Sequence, residues 1–403
     1  MAWPWAGRYV GDLTVRALAY HTGVRRISGL LIRPDGGNDP YDLAGTADLL
    51  PVLDALADGL QRPADVARGR VRGLREFAER GRVLLPAELL ADPPDVLVLV
   101  PHSILHGVPL HLVRTDSGDP LGTRCAVTYA SSLSQFALCA GANPARARDL
   151  AAWPLPATPA GGPPRVVTGY CADVLDPRGE RFAAVLAGIE RALGQPLVAE
   201  GSRTSIKAHL EPANPVRPDA VVVVAHGWLD PEDHQLSGLL LSATDLVLRG
   251  YRATPAGRPL RLTAGQRLRV DFAEAPLAFP PAEFGIGRYA ELMTIAELRL
   301  DAVSRVPLVA LFGCSAGWSR VGKGDVPASL GEVFLSVGSA AVVAPAWDAE
   351  VGATAAWAEH FFHAWSGLGW PVALSGAYAS RALYEDGVPM ERYGALTTRG
   401  DWL

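Results

Sequence analysis

The chain has 403 residues, 49% hydrophobic and 20% charged, which is enough apolar material for a large core and suits two lobes. A net charge of −5 leaves no electrostatic footprint for nucleic acid or for a membrane surface as the main partner. Four scattered cysteines (Cys125, Cys139, Cys171, Cys314) form no CxxC pair, which argues against a zinc ribbon or a disulfide scaffold, and no apolar run is long enough to span a bilayer.

The first residues, Met1-Ala2-Trp3-Pro4-Trp5, lack the basic region and apolar run of a signal peptide. A reducing cytoplasm is therefore expected, where a thiolate nucleophile stays usable. Lysine occurs only at Lys207 and Lys323; with abundant Ala, Gly and Pro this composition fits a GC-rich bacterial genome.

In chain order, Leu13 to Tyr20 and Ile27 to Ile32 predict a strand pair, closed by the turn Arg33-Pro34-Asp35-Gly36-Gly37. Residues 46–92 carry helical spacing, and a strand over Asp95 to Val100 follows Pro94 and ends at Pro101. Residues 141–164 are rich in Pro, Ala and Gly and mark a linker between a lobe at 1–140 and a lobe at 165–403. The second lobe predicts a strand from Arg165 to Thr168, a helix from Ala183 to Leu193 and a short strand near Leu197. A strand ending at His226 follows, then an irregular insertion over 243–291, then a strand ending at Cys314. Beyond it come a helix from Ser329 to Val337, a strand from Ser339 to Pro345, and helices from Ala353 to Trp365 and Val372 to Leu383. Strands alternating with helices imply a parallel α/β sheet covered on both faces. The insertion is longer than a connection needs. It reads as a lid over the cleft, a self-cleavage segment rich in arginine, or surface decoration.

Two stretches carry the chemistry. Val221-Val222-Val223-Val224-Ala225-His226-Gly227 and Val309-Ala310-Leu311-Phe312-Gly313-Cys314 each end an apolar run on a reactive side chain beside glycine. In an open parallel sheet, ligands bind at the carboxyl ends of the strands. If these strands are neighbours, His226 is the base for a Cys314 nucleophile, and the backbone N–H groups of Gly227 and Cys314 form an oxyanion hole. Asp230 is a candidate to orient the ring. A competing reading takes Gly313-x-Ser315-x-Gly317 as the elbow of an α/β-hydrolase, with Ser315 as nucleophile, Asp348, and His360 or His363; those histidines fall in a helical pattern, which weakens it. A third takes the chain as a non-catalytic scaffold. His102, His106 and His111 cluster in a stretch broken by Pro101, Gly107 and Pro109, so no metal is assigned, and no cofactor is implied.

The order of segments resembles the CHAT domain family, a bacterial caspase-like group in one clan with caspases, separase and gingipain. Leu97 to Leu112, containing Ile104-Leu105-His106-Gly107-Val108-Pro109-Leu110, is similar to the early strand and "LHxLPF" loop, and Tyr129-Ala130-Ser131-Ser132 to "YAPS". Ala225-His226-Gly227 resembles the histidine motif, Leu292 to Leu298 "LTAAEI", Gly313 to Gly317 "ACETG", and Gly331 to Trp347 "LARAFLAAGARSVVASLW".

The resemblance implies a caspase-like three-layer αβα sandwich with a mostly parallel central sheet and an N-terminal degenerate caspase-like lobe. It also implies a cysteine endopeptidase with a His226–Cys314 dyad, acting on a protein substrate. Relatives carry acidic residues after the tryptophan ("LWDVTD"), so Asp348 and Glu350 are candidates for a basic P1 pocket, although Val351 departs from the pattern. Helical repeats common in the family are not visible, which implies a regulated effector in antiviral defence or signalling, controlled by a separate regulatory or sensor protein.

Overall fold

Runs such as Val96–Val100 and Leu308–Phe312 carry no polar side chain and are buried along their whole length, so they need apolar cover on both faces. That requirement sets the architecture. The computed structural model describes residues 5, 8–45, 56, 66–147, 149–156, 166–172, 180–197, 201–211, 217–228, 235, 237–242, 267–270, 288–300, 306–314, 316–317, 320–321 and 327–403. Among them, thirteen strands join one sheet.

The strands in chain order are β1 (Val15–Thr22), β2 (Arg26–Ile32), β3 (Asn38–Gly45), β4 (Val96–Val100), β5 (Ala126–Tyr129), β6 (Val167–Ala172) and β7 (Ala220–Trp228). They continue with β8 (Gly238–Ser242), β9 (Arg267–Val270), β10 (Arg288–Thr294), β11 (Leu308–Phe312), the small pair β12 (Arg320–Val321) and β13 (Pro327–Ala328), β14 (Ala341–Pro345) and β15 (Leu396–Gly400). The sheet runs β3-β2-β1-β4-β5-β15-β14-β11-β7, with β6 and β8 both on the far side of β7, then β10 and β9. Its centre is mostly parallel, and antiparallel strands extend both ends.

Helices complete the sandwich. Even-numbered residues of β7 and β11 (Val222, Val224, Ala310, Phe312) pack with helices α3 (Glu180–Leu193) and α6 (Val351–Phe362). Odd-numbered ones (Val221, Val223, Val309, Leu311) pack with α4 (Arg203–Leu210) and α5 (Leu330–Ser336). Helices α1 (Val66–Arg80), α2 (Leu133–Ala142) and α7 (Val372–Glu385) complete the set used below. Serine caps start three of these helices: the side chains of Ser132, Ser202 and Ser329 accept from the backbone N–H three residues on. No helix among the described residues is long and apolar enough to cross a membrane.

Several expectations need adjusting. The turn at 33–37 does not close the strand pair; it leads into β3, an edge strand whose Asp39, Pro40 and Asp42 disguise it. Residues 194–197 carry no strand and Leu197 N–H is bonded to the Glu190 side chain at 2.8 Å, while residues 198–200 lie outside the described set. The α6 pattern ends at Phe362 and passes into a π-turn over His363–Gly367. The insertion is not wholly irregular, because β9 and the start of β10 lie in it; its other residues, and most of the helical pattern over 46–65, lie outside the described set.

A strand that the sequence did not predict, β15, fills the centre. It pairs parallel to β5 and antiparallel to β14. It places Arg399 in the interior, where the guanidinium bonds Glu332 at 3.0 Å and lies over the Tyr129 ring. Glu332 also accepts from the Gln135 side chain at 2.7 Å. Nearby, His111 Nε2 donates to Gly394 O at 2.8 Å, which leaves Nδ1 to accept from the Tyr129 hydroxyl at 2.8 Å. Burial pushes His111 down to about 4, so the folded protein holds it neutral.

A folded value below the ordinary 6.5 means that the unfolded chain takes up the proton first as the medium is acidified. The stability due to a neutral His111 is therefore fully present above about pH 6.5 and is lost as pH falls towards 4, by roughly 2–3 kcal/mol. Urea unfolding at pH 7.5 and 4.5 tests this. His111→Gln should shrink the difference between the two pH values by that amount; an unchanged difference would rule His111 out as the acid-sensitive group.

Candidate active site

The two reactive side chains are set by strand register. β7 and β11 pair in parallel from Ala220 with Leu308 to Val224 with Phe312. Two residues further along each chain stand His226 and Cys314. Equal spacing puts them at the same level of neighbouring strands, which lie about 4.8 Å apart. The same parity aims His226 at the face covered by α3, where it meets Phe182. His226 and Cys314 are both partly exposed.

Glycine makes the close approach possible. A Cβ on Gly227 would stand 1.9 Å from the Cys314 carbonyl oxygen and 3.4 Å from its nitrogen. A Cβ on Gly313 would stand 2.7 Å from Ala225 O and 3.6 Å from Gly227 N. The His-Gly and Gly-Cys backbones therefore touch along one seam, with the nitrogens of Gly227 and Cys314 both on it.

The turn bearing Cys314 is held from three sides. Ala316 N–H donates to Gly313 O at 3.1 Å, Gly317 N–H to Pro345 O at 2.8 Å, and Gly331 N–H, in α5, to Ala316 O at 3.2 Å. β14 pairs with β11 up to the register Ala310 with Val343, and Trp347 stands two residues past the end of β14. Trp347 is 1% exposed and its indole N–H donates to Glu391 O at 3.1 Å. Asp348 follows it, partly exposed. Glu350, two residues on, precedes α6 and is paired with Arg392 at 3.2 Å, a partner that no sequence pattern announced.

One adjustment concerns β7. It does not stop at His226 but continues to Trp228, because residues 226–228 pair antiparallel with β8. Backbone pairing on that side thus fixes the backbone of His226. On its open side the imidazole meets the ring of Phe182, with centroids 4.7 Å apart and planes 43° apart.

The remaining candidates disperse. Asp230, Asp233 and Ser315 lie outside the described residues. His360 and His363 both pack their rings near Tyr378 of α7, at 5.9 and 6.2 Å. His102 Nδ1 accepts from Thr22 N–H at 3.1 Å, and His106 is buried. Among the described residues no group of three or more His, Cys, Asp or Glu is placed to hold a metal ion. Of the other thiols, burial raises Cys125 strongly and pushes Cys139 up to about 12, so neither ionises near neutral pH.

Comparison with known proteins matches this geometry to a family. The CHAT domain family model matches residues 81–390. Among solved structures, the Saccharomyces cerevisiae separase–securin complex is similar with a TM-score of 0.54 at 10% identity, over 97% of this chain and 30% of that one. A second structure of that complex gives 0.53 at 9% identity, over 96% of this chain and 30% of that one. The Arg-specific cysteine proteinase gingipain R gives 0.38 at 10% identity, over 88% of this chain and 74% of that one. The chain thus spans under a third of the separase chain. No curated protein matches. The sandwich described above is the caspase-like α/β fold, and the chain belongs to the CHAT domain family.

Proposed function

We propose that the chain is a cysteine endopeptidase in which His226 is the base and Cys314 the nucleophile. The equal count of residues beyond the β7–β11 ladder is the observation that carries this reading. In the reaction, His226 takes the thiol proton and the thiolate attacks the scissile carbonyl carbon. The electron pair of the C=O bond moves to oxygen, where the N–H groups of Gly227 and Cys314 receive the charge. Collapse of this intermediate expels the amine, which takes the proton from the imidazolium, and leaves a thioester on Cys314. Water, deprotonated by His226, then releases the acid. The serine-hydrolase alternative finds less support, since the rings of His360 and His363 lie against Tyr378.

Cleavage of a peptide library decides between the two nucleophiles. Cys314→Ala should lower kcat/KM by roughly four orders of magnitude or more, and His226→Ala should nearly match it, because the pair acts as a unit. Ser315→Ala should stay within about threefold of the parent. The reverse ranking would transfer the role to Ser315.

Gly227 offers an independent check. Its hydrogen faces the Cys314 carbonyl where a methyl group has no room. Gly227→Ala must displace the nucleophile turn, and a displacement near 1 Å costs about a hundredfold in rate. Activity within threefold of the parent would show that the seam has no part in catalysis.

For specificity, we propose a basic P1 residue recognised chiefly by Asp348, the first acidic residue after Trp347 and a partly exposed one. Substrate profiling should show Arg or Lys at P1. Asp348→Ala should weaken that preference by about tenfold, the scale of one charge-assisted hydrogen bond, and Glu350→Ala should weaken it less. A flat or acidic P1 profile contradicts the assignment.

A further inference from the structure

We propose that Phe182 is a positioning residue of the site, holding the imidazole of His226 in the plane from which it meets the Cys314 thiol. This rests on the cysteine-peptidase reading above. Helix α3 lays the stripe Phe182, Val185 and Ile189 against the sheet at helical spacing. Val185 and Ile189 are 1% and 0% exposed and belong to the core cluster of Val222 and Val224 on β7. One turn nearer the start of the helix, Phe182 belongs to the same cluster, is 7% exposed and lays its ring on the imidazole, 4.7 Å away and tilted by 43°.

Strand pairing explains why such a contact is needed. β8 and β11 fix the Cα of His226 and the direction of its Cβ. Backbone pairing does not itself set the second side-chain torsion, which decides which ring nitrogen approaches sulfur; an sp³–sp² torsion of this kind is broad and lacks sharp staggered wells. The neighbours on the seam, Gly227 and Gly313, have no side chain to restrict it. A flat ring against one face of the imidazole supplies the restriction, and aromatic pairs at this separation and tilt attract one another. Phe182 carries no group that exchanges a proton, so its effect must pass through His226.

A double-mutant cycle read by alkylation tests this without knowledge of the substrate. The full chain is treated with iodoacetamide at pH 7, and peptide-resolved mass spectrometry follows Cys314 separately from the other three cysteines. Phe182→Leu should slow alkylation of Cys314 about tenfold, the factor carried by one good ring contact. Phe182→Tyr keeps the ring and should remain within about twofold. In a His226→Ala background, Phe182→Leu should have no further effect, which a general loss of packing would not reproduce. If leucine lowers the folded fraction, Phe182→Met refills the volume and repeats the measurement.

The inference is overturned if His226→Ala slows alkylation while Phe182→Leu does not, or if Phe182→Leu slows it equally in both backgrounds. Should His226→Ala leave the rate unchanged, the dyad reading itself falls, and the role of Phe182 falls with it.

Discussion

Parallel pairing of β7 with β11 is the constraint on which the site depends. Neither His226 nor Cys314 is brought to its place by a loop that selects it. Each is carried there by a buried strand whose position along its neighbour is fixed by apolar residues on both faces. A slip of one residue would move Val222 and Val224 to the wrong layer and bury the wrong set. Core packing and site geometry are therefore one requirement. The glycines following His226 and preceding Cys314 add what packing alone does not, a seam narrow enough for the two backbones to touch.

Charge inside the sheet plays a second part. Arg399 and Glu332 are 5% exposed, and each has a second partner, Tyr129 for the cation and Gln135 for the carboxylate. A lone guanidinium at such depth would be strongly unfavourable, so the pair and its partners form one unit. That unit spans β5, β15, α2 and α5. Because α5 also bonds the turn that bears Cys314 through Gly331, the interior ion pair and Cys314 share a support. The segment Glu391–Ala395 does the same on the other flank, holding Ala346 and Trp347 through two hydrogen bonds and being gripped itself by His111.

Much of this was legible in the sequence because strands β7 and β11 are extreme. Four consecutive valines before Ala225-His226 admit few readings other than a strand buried on both faces, and the break at glycine marks its end. β15 was hidden for the opposite reason. Leu396-Thr397-Thr398-Arg399-Gly400 places a charge and a glycine where a buried strand ought to be apolar, and partners distant in sequence, Glu332 and Tyr129, make Arg399 tolerable there. β3 was concealed by Pro40 and two aspartates, which an edge can carry and a centre cannot. The extension of β7 past His226, the engagement of Glu350 by Arg392 and the ring of Phe182 on His226 all depend on chain segments brought together by folding, and short-range patterns hold no record of them.

The placement of β15 also governs how the molecule can be assembled. The Thr398 hydroxyl donates to Val127 O across 271 positions of sequence, and the Thr128 hydroxyl to Gly400 O across 272. Until residues 396–400 dock, β5 and β14 each present an unpaired edge, open to pairing with a neighbouring chain. Contacts of such long range make closure slow, since the entropy of joining distant segments is spent before the pairing is gained. The nascent sheet thus stays in two unjoined halves until residues far apart along the chain find one another, and its exposed edges call for chaperone shelter over that interval.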